Sequence, residues 1–307
     1  MTQQQYALGT ADGTTPDPTP DPTPDPATAP GRRNGDRRAT TLSGAMVLGA
    51  GIASTLALYL VLAHLQSRGR SAAAIGMSDM GMQDMSRFWA FPILQASGLT
   101  GLFFAYFGAL LGLQQSGRRA SWLPLTYRQV DRLHRQISLL VIGLVLVHIV
   151  ATLFDAMGDS WRTVFVPGGW GSNWPQAVWG YDTGIFGFYL LILLAPTYYV
   201  RRGIGANRWR FAHRFVLVFY ILAVWHTLIL GADVGHYTWI RPVIWLAQLP
   251  LLALFARRLA QPARSGERAG GGWRAGIRHG LVALSVLAAV AIVMLVVSGQ
   301  SGFIANV

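Results

Sequence analysis

Four of the seven histidines lie in two apolar stretches: His134 and His148 in one, His213 and His226 in the other. Their surroundings repeat. The first stretch reads His134-Arg135, twelve residues, His148, six residues, Asp155; the second reads His213-Arg214, eleven residues, His226, six residues, Asp233. Ionisable groups inside membrane spans are rare and tend to be functional. On a helix rising 1.5 Å per residue, the spacings of 14 and 13 separate the members of each pair by ~21 and ~20 Å, so each stretch carries one imidazole near either edge of a bilayer's hydrocarbon core. If the two helices run in the same direction, His134 shares a level with His213, and His148 with His226. Two imidazoles per level are what an axially bis-ligated haem requires, and a large apolar ring suits the inside of a helix bundle. The helical phase agrees only in part. Fourteen residues at ~100° each return to within ~40° of the starting face, whereas thirteen miss it by ~140°. The second helix must therefore twist, tilt or bulge to present both rings to one neighbour.

The elements that must position these rings are membrane spans. The 307 residues are 52% hydrophobic and only 12% charged, against about 25% charged for a soluble domain. Seven apolar stretches of roughly 16–26 residues approach or exceed the ~20 needed for a crossing: 42–65, 88–113, 133–156, 183–200, 211–230, 240–255 and 279–297. The expected fold is an all-α integral membrane bundle of about seven transmembrane helices. All 25 basic residues are Arg, against 13 acidic ones, for a net charge of +12. The Arg clusters fall between spans, where they orient the chain, and do not read as a nucleic-acid surface. With the N-terminus inside, twenty Arg lie on the cytoplasmic side, leaving Arg68, Arg70, Arg87, Arg162 and Arg241 outside. The chain reads as a multi-pass cell-membrane protein with a cytoplasmic N-terminus and an external C-terminus. There is no Cys, which removes disulfides, thiolate metal sites, iron–sulfur clusters and c-type haem attachment.

His134-Arg135…His148 and Trp209-Arg210-Phe211-Ala212-His213-Arg214…Trp225-His226…Gly231-Ala232-Asp233 resemble the ferric reductase transmembrane family, which shares its six-helix core with the eukaryotic NADPH oxidases. The resemblance spans roughly residues 85–256 and is specific in both His spacings. It implies two stacked b-type haems carrying electrons across the membrane, His134 and His213 on the inner one and His148 and His226 on the outer. Arg135 and Arg214 are candidates to pair with inner-haem propionates, since guanidinium meets carboxylate in bidentate geometry; positive-inside residues are the plainer reading. Where the NADPH oxidases continue into a flavin and nicotinamide domain after the sixth span, this chain has a short Arg-rich loop and a seventh span. No Gly-rich phosphate fingerprint follows a strand. The donor is therefore expected to be a separate protein or a membrane quinol, and a flavin would sit on a partner.

The expected organisation is a disordered Pro/Asp/Thr-rich cytoplasmic tail over 1–40 with no signal-peptide character. A six-helix haem-binding core over 41–256 follows, then an Arg/Gly-rich cytoplasmic loop over 257–278, and a seventh helix with a short external tail over 279–307. Secondary candidates are a soft-metal site from Met77, Met80, Met82 and Met85, read more simply as a loop, and a substrate lid from Trp161, Trp170, Trp174 and Trp179, read more simply as interfacial anchors. Arg87 and His236 could reach the outer haem's edge. Asp155 and Asp233, with Asp79, Asp84, Asp159 and Asp182, could form an acidic vestibule for a cation such as Fe(III). His64 and His279 are expected to be interfacial. The function expected is electron relay from a cytoplasmic or quinol donor to an external acceptor, by the haem-binding membrane component of an oxidoreductase. Alternatives are a quinol-linked haem or flavin subunit serving an external reductase, a non-redox transporter or proton relay using the His and Asp, and a non-catalytic scaffold.

Overall fold

The computed structural model describes residues 32–71, 88–116, 125–155, 160–168, 175–236, 239–261 and 272–299, with side chains not described at 32–43, 175–177, 236 and 272–275. Residues 42–307 group as one unit, and it is the one described below. Among the described residues every regular element is helical: α1 Arg32–Ser67, α2 Phe91–Ser116, α3 Tyr127–Leu153, α4 Trp161–Phe165, α5 Pro175–Leu194, α6 Thr197–Ile204, α7 Ala206–His213, α8 Val216–Leu230, α9 Ala232–His236, α10 Ile240–Ala260 and α11 Gly272–Val297. Among the described residues six spans are long and apolar enough to cross a bilayer: Gly44–Ser67, Phe91–Gln115, Tyr127–Leu153, Ala206–Leu230, Ile240–Ala260 and Gly276–Val297. The protein is an all-α integral membrane protein, and large apolar side chains such as Leu56, Leu193, Ile221 and Leu287 stand exposed where lipid would cover them.

The fourth expected span, 183–200, is not one straight helix. α5 and α6 meet at 49° around Pro196, which caps α6 with no side-chain hydrogen bond. A proline lacks the N–H that would continue the ladder, and its ring crowds the preceding turn. Counted as one bent span, the pair brings the total to seven. Past α6 the chain reverses at Gly205, whose φ of +89° is a left-handed conformation that favours glycine.

Two antiparallel pairs carry the bundle's interior. α2 lies against α3 through glycines, with Gly101 beside Leu144 and Gly108 beside Ile137; α5 lies against α8 with Gly187 beside Leu222 and Phe219. Without a hydrophobic drive between helices in lipid, such close backbone approach supplies the packing. Ile137, Val141 and Phe219 form a buried apolar cluster where α3 meets α8, and Leu113, Tyr220, Val224, Leu228, Val234 and Leu251 form another between α2, α8, α9 and α10. α10 and α11 make a third pair. Arg278 reaches from α11 to the open end of α10, donating to the carbonyls of Leu259 at 2.9 Å and Gln261 at 2.8 Å, which satisfies acceptors that a helix end leaves exposed.

Candidate functional site

α3 begins on a capping box: the Thr126 hydroxyl accepts from the Gln129 backbone, and the Gln129 side chain accepts from the Thr126 backbone. Counting from this fixed start, His134 and His148 fall on the face turned to α2. Each ring is seated in the same way. His134 Nδ1 donates to the Gly108 carbonyl at 3.0 Å, and His148 Nδ1 donates to the Leu94 carbonyl at 2.9 Å. Four residues after each acceptor stands a glycine, Gly112 or Gly98, whose missing Cβ would lie 3.2 Å from His134 Cε1 or 2.9 Å from His148 Nδ1. A helical carbonyl is overhung by the side chain of residue i+4, so glycine there opens the carbonyl to a ring from the neighbouring helix. The device recurs on α5 and α8: His226 Nδ1 donates to the Gly180 carbonyl at 2.9 Å, and a Cβ on Gly184 would lie 2.6 Å from that nitrogen. In all three rings the carbonyl accepts a hydrogen bond from Nδ1–H, which leaves Nε2 unprotonated and able to bind a metal.

The phase mismatch of the 13-residue spacing is resolved in the backbone. The fifth span is two helices, α7 and α8, joined by an overwound turn. Arg214 N–H donates to Phe211 O (3.2 Å), Phe215 to Ala212 (3.0 Å), Leu217 to Arg214 (3.1 Å) and Val218 to Phe215 (3.0 Å), all i to i−3. Such 3₁₀ bonding turns ~120° and rises ~2.0 Å per residue. Over four residues it adds about 80° and about 2 Å, cutting the ~140° miss to about 60° and stretching the ~20 Å separation to about 21.5 Å. Both values then approach those of the regular 14-residue interval in α3.

The rings meet in pairs at matching depth. His134 and His213 have centroids 6.1 Å apart with planes at 88°; His148 and His226 are 6.0 Å apart at 85°. Among the described residues no group of three or more His, Cys, Asp or Glu converges, so each level offers two protein ligands. A metal–nitrogen bond of about 2.0 Å plus about 1.1 Å from nitrogen to ring centre, taken on both sides, would set centroids roughly 6.2 Å apart. The residues present thus fit an ion that brings its remaining ligands with it.

At the Arg-rich end, Arg135 is exposed beside His134 and its Nη1 donates to the Tyr198 hydroxyl at 3.5 Å. Arg214 is exposed in the overwound turn. Trp209 stacks on His213 at 5.0 Å and 19°, with Tyr198 at 6.4 Å from Trp209. At the other end Asp155 and Asp233 are buried, and Gln95 Nε2 donates to Asp233 Oδ2 at 2.8 Å; Arg241 Nε donates to the Val234 carbonyl at 2.9 Å. His64, His279, Trp161 and Trp179 are exposed. Arg87, the side chain of His236, the Met77–Met85 segment with Asp79 and Asp84, Asp159, Trp170 and Trp174 lie outside the described residues. Sequence reasoning did not find the glycine seats, although Gly98 and Gly112 stand 14 apart, the interval of His134 and His148. It also left Trp209 without a role, although it precedes His213 by one helical turn.

Residues 97–224 match the family model described as Ferric reductase like transmembrane component. The matched stretch runs from α2 into α8, takes in His134, His148 and His213, and stops two residues short of His226. Over this stretch the chain is similar to the ferric reductase-like transmembrane domain. No curated protein and no solved structure matches it.

Proposed function

We propose that the His134/His213 and His148/His226 pairs each hold one b-type haem, and that this chain is the membrane subunit through which electrons cross from a cytoplasmic or quinol donor to an external acceptor. The observation that carries the reading is the pairing of four imidazoles at two depths, at a separation that accommodates an iron, with three of the four turned by backbone carbonyls so that Nε2 is the free nitrogen. When bound, a haem at each pair would supply one-electron redox chemistry. The chain's own residues bind, orient and insulate. Carbonyls of α2 and α5 fix ring tautomer and raise ligand basicity, glycines let the rings seat, and Ile137, Val141 and Phe219 fill the interval between the two levels with dry apolar packing. Arg135 and Arg214, exposed next in sequence to His134 and His213, would meet haem carboxylates at the edge expected to be cytoplasmic. The donor and any flavin belong to a partner protein or to a quinol.

The test is a pyridine haemochrome assay together with reduced-minus-oxidised spectra of the purified full chain. Two haems b per polypeptide are expected. One haem would favour a quinol-linked subunit with a single centre, and none would return the His and Asp to a proton relay.

A further inference from the structure

Three of the four imidazoles are held twice, by a carbonyl on Nδ1 and by a glycine seat. The fourth has neither: among the described residues no hydrogen bond reaches the His213 ring, and no glycine faces it. It lies instead nearly parallel to Trp209, at 5.0 Å and 19°. Trp209 is itself held on its other contacts. Tyr198 meets it at 68°, and the Arg201 guanidinium stands 5.9 Å over the Trp209 ring and 4.3 Å over that of Tyr198. The Pro196 bend and the Gly205 reversal bring α6 alongside α7 to make this stack. The Trp209 indole N–H is buried and finds no acceptor among the described residues, so what Trp209 offers His213 is its ring face.

Resting on the two-haem reading above, we propose that Trp209 is the positioning residue for His213, holding by stacking the plane that carbonyls hold for the other three rings, and that the His134/His213 centre is consequently the higher-potential one. A carbonyl accepting from Nδ1–H makes the imidazole a stronger donor and favours ferric iron. The His148/His226 centre has two such bonds and the His134/His213 centre one. Exposed Arg135 and Arg214, next in sequence to their ligands, add positive charge that favours the less charged ferrous state in the same direction.

The experiment is a potentiometric titration of the full chain, with EPR of its ferric form, for the wild type, Trp209→Leu, Trp209→Phe and His213→Ala. In the wild type, the centre that His213→Ala removes should titrate at the higher potential. Trp209→Leu should change the low-spin signature and the potential of that centre alone, and Trp209→Phe, which keeps a ring face without the N–H, should restore both. The second centre's unchanged signal reports an intact bundle in the same sample. The proposal is overturned by a reversed order of potentials, by a Trp209→Leu protein with both centres unchanged, or by a Trp209→Phe protein that behaves like Trp209→Leu. Should Trp209→Leu lose both centres, the Phe variant and the wild-type order still decide. A wild type with fewer than two haems would instead remove the two-haem reading itself.

Discussion

A Cβ at position 184 would stand 2.6 Å from His226 Nδ1, one at 98 would stand 2.9 Å from His148 Nδ1, and one at 112 would stand 3.2 Å from His134 Cε1. These three distances order three substitutions. Alanine in a helix ordinarily improves on glycine by about 1 kcal/mol, so a loss on Gly→Ala isolates the seat from helix propensity. Gly184→Ala is expected to be the most disruptive and Gly112→Ala the least, each loosening only the centre its ring serves. Losing a ligand's supporting contact typically costs roughly 10–100-fold in metal affinity, which haem titration of each variant would read. Gly143, where an added Cβ would meet nothing within 4 Å, is the control, and Gly143→Ala should leave both centres alone. At the same scale, His148→Ala and His226→Ala should remove one spectroscopic species and His134→Ala and His213→Ala the other. Loss of the same species from His134→Ala and His226→Ala would break the pairing by depth.

At the scale of the element, the overwound turn between α7 and α8 lets a 13-residue interval serve as 14. This predicts an asymmetry between insertion and deletion. One alanine inserted between Arg214 and Phe215 lets the i to i−3 bonds relax to ordinary α-helix with a 14-residue interval, so both centres should be retained in the visible spectrum. Deleting one residue there leaves 12, a further ~100° of rotation that no short 3₁₀ segment recovers, and one centre should be lost. If the insertion abolished a centre while the deletion spared it, the turn would have some other purpose. The Arg278 clamp belongs to a different element pair. Arg278→Met should lower thermal stability by roughly 1–3 kcal/mol, as expected for hydrogen bonds from a charged donor, and leave the haem spectrum unmoved.

For the whole molecule, the distribution of Arg bears on orientation. Twenty of 25 fall on the N-terminal side of the membrane when the seven spans are threaded, and by the positive-inside rule that side is expected to be cytoplasmic. A reporter active only outside the membrane should work when fused at Val307, and activity of a cytoplasmic reporter there would reverse the assignment. The isolated chain should not oxidise NADPH even when loaded with haem. A hydride carries two electrons where haem iron accepts one, and splitting the pair needs a flavin and a fold to hold the nicotinamide against it. Fast, saturable haem reduction by NADPH under anaerobic, flavin-supplemented conditions would reveal a nucleotide site in this chain.

Much of this was legible in the residues because membranes impose strong one-dimensional rules. Apolar length marks a span, Arg marks a side, and a histidine inside a span stands out against its surroundings, so the spans, their expected orientation and the repeated His134/His148 and His213/His226 pattern could be read without coordinates. The spacing also exposed its own flaw, the ~140° error of a regular helix over thirteen residues. What tertiary structure alone decided was local backbone geometry and which helix stands behind each ring. The fourth span bends because Pro196 meets a chain that must reverse at Gly205, and the fifth overwinds because its rings must face partners set 14 residues apart. Whether a glycine is an idle small residue or a seat depends on what approaches it from another helix, and this is why Gly143 and Gly184 cannot be told apart by sequence while His226 distinguishes them in space.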